Sequence, residues 1–241
     1  MNLFEWYIPF GLLALLLFVL VRRNAYQACP WFFIYSAFGF AVGVARFAVH
    51  NHHDWYRVTY WSSEAGYDIL GILVMYEVLR AVLGSVTTVS RSRLIFTAVF
   101  VAGVGLSLAR AHSAPPKVSG LEFYIVVGEI AVRFVQVLVF AGLVTLAPVL
   151  GLRWRQYPFG VATGFGLYAT VMLLSTTKFS DFGTRFKLLW GWTSVVAYSV
   201  AVVIWIWFFS VPQKVETSSS QLSTPSPGDL NQYKDALRRM H

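Results

Sequence analysis

Three acidic side chains interrupt one long apolar stretch, residues 57–80, RVTYWSSEAGYDILGILVMYEVLR. At about 1.5 Å per residue, a helix of this length crosses a hydrocarbon core of about 30 Å. Glu64 and Asp68 are four residues apart and share a helix face, which Gly71 and Met75 continue. Glu77 points almost the opposite way, close to Arg80, and is expected to form a snorkelling pair with it at the helix end. A carboxylate at membrane depth costs about 2.5–3.5 kcal/mol. Two on one face therefore need partners or water. The chemistry open to them is proton exchange, cation binding, or hydrogen bonding to neighbouring helices.

A second polar stripe lies in the run 121–146. Glu122, Glu129, Arg133 and Gln136 are spaced seven, four and three residues apart, which at about 100° per residue places them on one narrow face. Counted from the same side, Glu64 and Asp68 lie about as deep as Glu129 and Arg133, with Arg46 somewhat shallower. The expectation is one buried cluster of Arg46, Glu64, Asp68, Glu129 and Arg133 in the outer half of a helix bundle. Gln136 supports it, and Tyr60, Tyr67 and Tyr124 add hydroxyls at its mouth. Two arginines face three carboxyls, and arginine does not deprotonate in proteins. Either one carboxyl keeps a proton near neutral pH, with Asp68 as the deepest acid the first candidate, or a cation or basic ligand completes the site. The competing reading is that these groups only cross-link helices.

The elements that must position these residues follow from composition. Of 241 residues, 57% are hydrophobic and 12% charged, against about 25% charged in a soluble domain. Seven apolar runs, 3–21, 30–49, 57–80, 94–109, 121–146, 158–175 and 188–209, predict an all-α bundle of seven transmembrane helices over residues 1–211. Arg22 and Arg23 follow the first run, the reverse of a cleaved signal peptide, so it reads as a retained helix with its N-terminus outside. An odd number of spans then places the C-terminus inside. Residues 212–241 are polar and rich in Ser, Thr and Pro. They are expected to form a disordered cytoplasmic tail, with a short amphipathic helix at 229–240 carrying Leu230, Tyr233 and Leu237 on one side. Positively charged loops favour this orientation by a thin margin. Trp6, Trp55, Trp61, Trp190 and Trp192 fall near outer ends, and Trp31, Trp154, Trp205 and Trp207 near inner ends, as an aromatic belt requires. Gly39 with Gly43, and Gly160 with Gly164, have the spacing that lets helix backbones approach closely in lipid.

Several chemistries are excluded or disfavoured. The net charge of +8 comes mostly from residues flanking apolar runs, so it reads as topology, not nucleic-acid binding. Cys29 is the sole cysteine, so no intrachain disulfide forms; it is expected to be a packed or interfacial thiol. His50-Asn51-His52-His53-Asp54 carries metal-ligand residue types, but adjacent residues rarely all point at one ion and no framework motif accompanies them, so it is read as a solvated loop with no metal. The last run, 188–209, has no lysine for a retinal Schiff base. No histidine lies within a span to serve an intramembrane zinc hydrolase. No nucleophile elbow or phosphate-cradling loop is present. No enzyme activity and no cofactor are expected.

Tyr60-Trp61-Ser62-Ser63-Glu64-Ala65, followed by Val74-Met75-Tyr76-Glu77-Val78-Leu79-Arg80, resembles a motif of uncharacterised bacterial seven-helix membrane proteins. The resemblance covers the third run alone. It implies a multi-pass protein of the inner membrane in which Glu64 and Glu77 belong to a recurrent pattern, and it implies no activity. The functional expectation is a receptor-like or sensory membrane protein that holds a small ligand or lipid headgroup in the polar pocket. The alternatives are a small proton- or cation-coupled transporter and a structural subunit of a membrane complex. Expected partners are membrane lipids, a small-molecule ligand, and a protein partner or a second copy of the chain, with Lys234, Arg238 and Arg239 of the tail facing anionic lipid or an inner partner.

Overall fold

In a computed structural model, residues 3–83, 89–113, 120–149, 157–182 and 186–211 are described. They form seven α-helices: α1 (Leu3–Arg22), α2 (Pro30–Val49), α3 (His53–Leu83), α4 (Val89–Ser113), α5 (Leu121–Val149), α6 (Tyr157–Phe182) and α7 (Phe186–Ser210). Each apolar run falls within one helix. No strand occurs among the described residues. The expected tail and its amphipathic segment lie outside them.

Five helices are long and apolar enough to cross a membrane: α2, α5 and α6, with α4 from Arg93 and α7 from Trp192. The described apolar part of α1, Ile8–Arg22, is shorter. The α3 helix is long enough at 31 residues, but Glu64, Asp68, Glu77 and Arg80 lower its hydropathy. The chain is thus a helical protein with membrane-length apolar helices. The α3 helix packs against α2, α4, α5 and α6, while α1 joins α2 to α7 and α6 joins α5 to α7, closing the ring. The α4 helix leans on α5 and α3 from outside.

The chain reverses between α1 and α2 through Asn24, whose φ of 52° is tolerated by asparagine, and a 3-10 turn at Ala25–Gln27. Pro30 then opens α2, where its missing N–H costs nothing. Close to this turn lies an aromatic core. Phe32 stacks on Phe209 at 5.4 Å and meets Trp205 edge-on at 5.1 Å, and Phe165 lies 4.8 Å from Trp205. Trp205 was expected in the interfacial belt. It is instead 1% exposed, with its indole N–H donating to the Val161 carbonyl at 3.3 Å. Trp31, Trp55, Trp192 and Trp207 are exposed.

Both glycine pairs mark close approaches. A side chain at Gly160 would run into Phe208, and one at Gly164 into Trp205, so α6 and α7 meet across bare backbone. Gly39 faces Leu13 and Tyr67, and Gly43 faces Phe10.

Candidate functional site

The two polar stripes meet. On α3, Tyr67 and Asp68 follow Glu64 by three and four residues and present one face with it. On α5, Glu129, Val132, Arg133 and Gln136 do the same, as the helical period requires. With Tyr35 and Arg46 of α2, Tyr168 of α6 and Tyr198 of α7, they line a single cavity of about 200 Å³. All five charged residues of the expected cluster are on its wall.

Four of the five charges pair off. Arg46 Nη2 lies 2.7 Å from Glu64 Oε1, joining α2 to α3. Its guanidinium also donates to the Ser63 hydroxyl, from Nε at 3.1 Å and from Nη2, and to the Tyr60 carbonyl at 3.4 Å. The Tyr60 ring covers it, with the guanidinium carbon 4.6 Å from the centroid. Arg46 is thus held on several sides, and both members of the pair are more than four-fifths buried. Arg133 pairs with Glu129 one turn earlier on α5 and lies 5.7 Å from the Tyr168 ring centroid. Asp68 has neither an ion pair nor a hydrogen bond among the described residues. Its Oδ2 lies 3.3 Å from where a Cβ would stand on Gly128, so the missing side chain makes room for it.

Not every expected member takes its expected place. Tyr67 lines the cavity and Gln136, 6% exposed, closes it. Tyr60 is not on the wall; it acts through its ring and carbonyl on Arg46. Tyr124 is 72% exposed and does not line the cavity. Glu122 leaves the α5 stripe to pair with Arg57 of α3 at the exposed rim. Glu77 does not pair with Arg80. Its two oxygens accept the backbone N–H groups of Trp31 and Phe32 at 3.2 and 3.1 Å, capping the start of α2 where Cys29 offers no side-chain cap. Arg80 is exposed.

The cavity also holds residues that the sequence reading passed over. Tyr35, Tyr168 and Tyr198 bring three more hydroxyls and ring faces. A signal for them exists: tyrosine belongs at membrane interfaces, and a tyrosine in mid-helix carries a hydroxyl that lipid cannot satisfy. Ser63, 5% exposed, does not line the cavity but accepts from the Arg46 guanidinium beside Glu64.

The histidine-rich segment gathers no metal site. His53 and Asp54 form the first turn of α3, not a loop, and Asp54 there suits the helix dipole. His50 stacks on Phe47 and its Nδ1 lies 2.6 Å from the Phe47 carbonyl oxygen. Among the described residues no group of three metal-ligating side chains converges. Cys29 is buried and free at the start of α2.

No protein-family model, curated protein or solved structure matches the chain.

Proposed function

We propose that the chain is a receptor-like or sensory membrane protein that binds a small, positively charged ligand or lipid headgroup in the polar cavity. In this reading all seven helices span a bacterial inner membrane, with the N-terminus outside and the cavity in the outer half. The observation that carries the proposal is Asp68. It is a carboxylate on the wall of a cavity whose other four charges are paired within the protein. An unpaired charge away from bulk water is costly, and a cationic ligand removes that cost. Four tyrosine rings around the same space offer the negative π-faces that favour an organic cation.

A binding role is favoured over transport by what lies beyond the cavity. On the α1–α2 turn side, Phe32, Phe165, Trp205 and Phe209 fill the bundle. Arg23 ties the end of α7 by donating to the Ser210 carbonyl at 2.8 Å, and Glu77 ties the start of α2. These contacts fill and fasten the turn side of the bundle next to the cavity.

Native mass spectrometry of the protein extracted gently from its own membrane tests the reading. The expected result is a retained cationic small molecule or lipid, lost from Asp68→Asn and reduced in Glu64→Gln. A bare protein, or adducts indifferent to both substitutions, overturns it. In that case proton flux through wild type that Asp68→Asn abolishes would establish the transporter reading.

A further inference from the structure

A second cavity of about 210 Å³ adjoins the polar one. Arg46, Tyr67 and Tyr198 line both, so the two spaces meet at a shared wall. Their linings differ in kind. The first is bounded by carboxylates, guanidinium groups and an amide. The second lies where α1 meets α2, lined by Pro9, Phe10, Leu13 and Val42 with the bare faces of Gly39 and Gly43, and by Tyr56 of α3. No acidic residue lines it. Its glycine faces are narrow: a Cβ at either position would stand 3.3 Å from its neighbours, Leu13 and the Tyr67 hydroxyl at Gly39 and Phe10 at Gly43. The Tyr67 hydroxyl therefore rests against the α2 backbone at the seam between the two cavities.

We infer that the ligand is amphipathic: an ammonium group seated against Asp68, joined to a short apolar chain that passes Tyr67 into the α1–α2 cavity. This rests on the binding role proposed above and names the chemistry of its ligand. The charge end is selected by the unpaired carboxylate and the tyrosine faces. The chain end is selected by the apolar α1–α2 side of a space that no acidic residue lines and that is too small for the acyl chains of a whole diacyl lipid. The ammonium end alone is also offered by the headgroup of a lipid whose chains stay outside, so that end has two sources, a free alkylamine or a lipid.

The experiment uses the full chain in phosphatidylglycerol nanodiscs. It measures affinities for tetramethylammonium and for butyl- and hexyl-trimethylammonium, with empty discs correcting for partition into lipid. Wild type should bind all three, tighter with each methylene that enters the second cavity, up to about fourfold per methylene. Asp68→Asn should weaken all three by tenfold or more. Leu13→Phe and Val42→Phe, which fill the second cavity from opposite helices, should each keep tetramethylammonium affinity and lose the gain with chain length. A folded copy of either variant is sufficient. If tetramethylammonium binds but chain length adds nothing, or the gain survives both filling variants, the amphipathic ligand is overturned and the cationic site stands. If none of the three binds, the site itself fails. Repeating the series in phosphatidylethanolamine discs separates the sources. Unchanged affinity assigns the pocket to a free amine, and competition assigns it to the lipid headgroup.

Discussion

Glu77 of α3 accepts the backbone N–H of Phe32 at 3.1 Å, so the polar helix caps the start of its neighbour. A second oxygen takes the N–H of Trp31. The first N–H groups of a helix have no partner within it, and a carboxylate there also meets the positive end of the helix dipole. Glu77→Ala should destabilise the protein by about 1–2 kcal/mol, read as a lower midpoint in thermal unfolding in micelles. Arg80→Ala should leave the midpoint in place, because Arg80 is exposed and takes no part in the cap. Equal losses from both substitutions would restore the Glu77–Arg80 pair as the stabilising contact.

The glycines give opposite predictions at different sites. At Gly164 a methyl group would enter the Trp205 indole, which is fixed by its hydrogen bond to Val161. Gly164→Ala should cost about 1–3 kcal/mol through overpacking. At Gly142 nothing stands within 4 Å of an added Cβ. Gly142→Ala should be neutral or stabilising by up to about 1 kcal/mol, because alanine is the better helix former. Unfolding of the two variants side by side checks the pair, and a Gly164→Ala protein as stable as wild type would contradict the close α6–α7 approach.

Much of this site was legible because charge in an apolar run has few places to go. Glu64 with Asp68, and Glu129 with Arg133 and Gln136, each mark one helix face, and the structure puts those faces on one cavity. Arg46 joined them by depth alone. What the sequence hid falls into two physical classes. Tyr35, Tyr168 and Tyr198 carry a weak signal, a hydroxyl in mid-helix, but an aromatic ring in an apolar helix usually packs, so their neighbours are needed to show a polar wall. Glu77 has a near partner in sequence, Arg80, but its real partners are backbone groups of Trp31 and Phe32 on another helix, which no local pattern encodes. Trp205 misled for a similar reason: its place near a helix end suggests a lipid interface, while the glycine faces of α6 draw it into the core.

Arg46 and Glu64 should be energetically coupled. Their contact at 2.7 Å is reinforced by Ser63 and the Tyr60 ring, and removing one partner leaves the other charged and poorly hydrated. In a double-mutant cycle with Arg46→Gln and Glu64→Gln, each single substitution should destabilise more than the double would suggest by addition, with a coupling of about 1–3 kcal/mol. Arg57 and Glu122, with the Arg57 side chain 64% exposed, should couple by less than about 1 kcal/mol and should weaken in salt, which the first pair should resist. Coupling of equal size in the two cycles would mean that the cavity pair is no drier than the rim pair.

Asp68 should separate stability from binding. Glu64→Gln removes the partner of a buried arginine, so it should lower the unfolding midpoint. Asp68→Asn removes a carboxyl that has no partner among the described residues, and the amide keeps nearly the same shape beside Gly128. The substitution removes a desolvated acid without leaving a charged partner behind, so the midpoint should hold or rise. Affinity for tetramethylammonium should fall at least tenfold, about 1.4 kcal/mol. The same two measurements on wild type and both variants decide the matter. If Asp68→Asn unfolds as readily as Glu64→Gln, Asp68 carries a structural contact and the cavity loses its unpaired acceptor. If it is as stable as wild type or more so and no longer binds the cation, the protein maintains a costly carboxylate for the sake of its ligand.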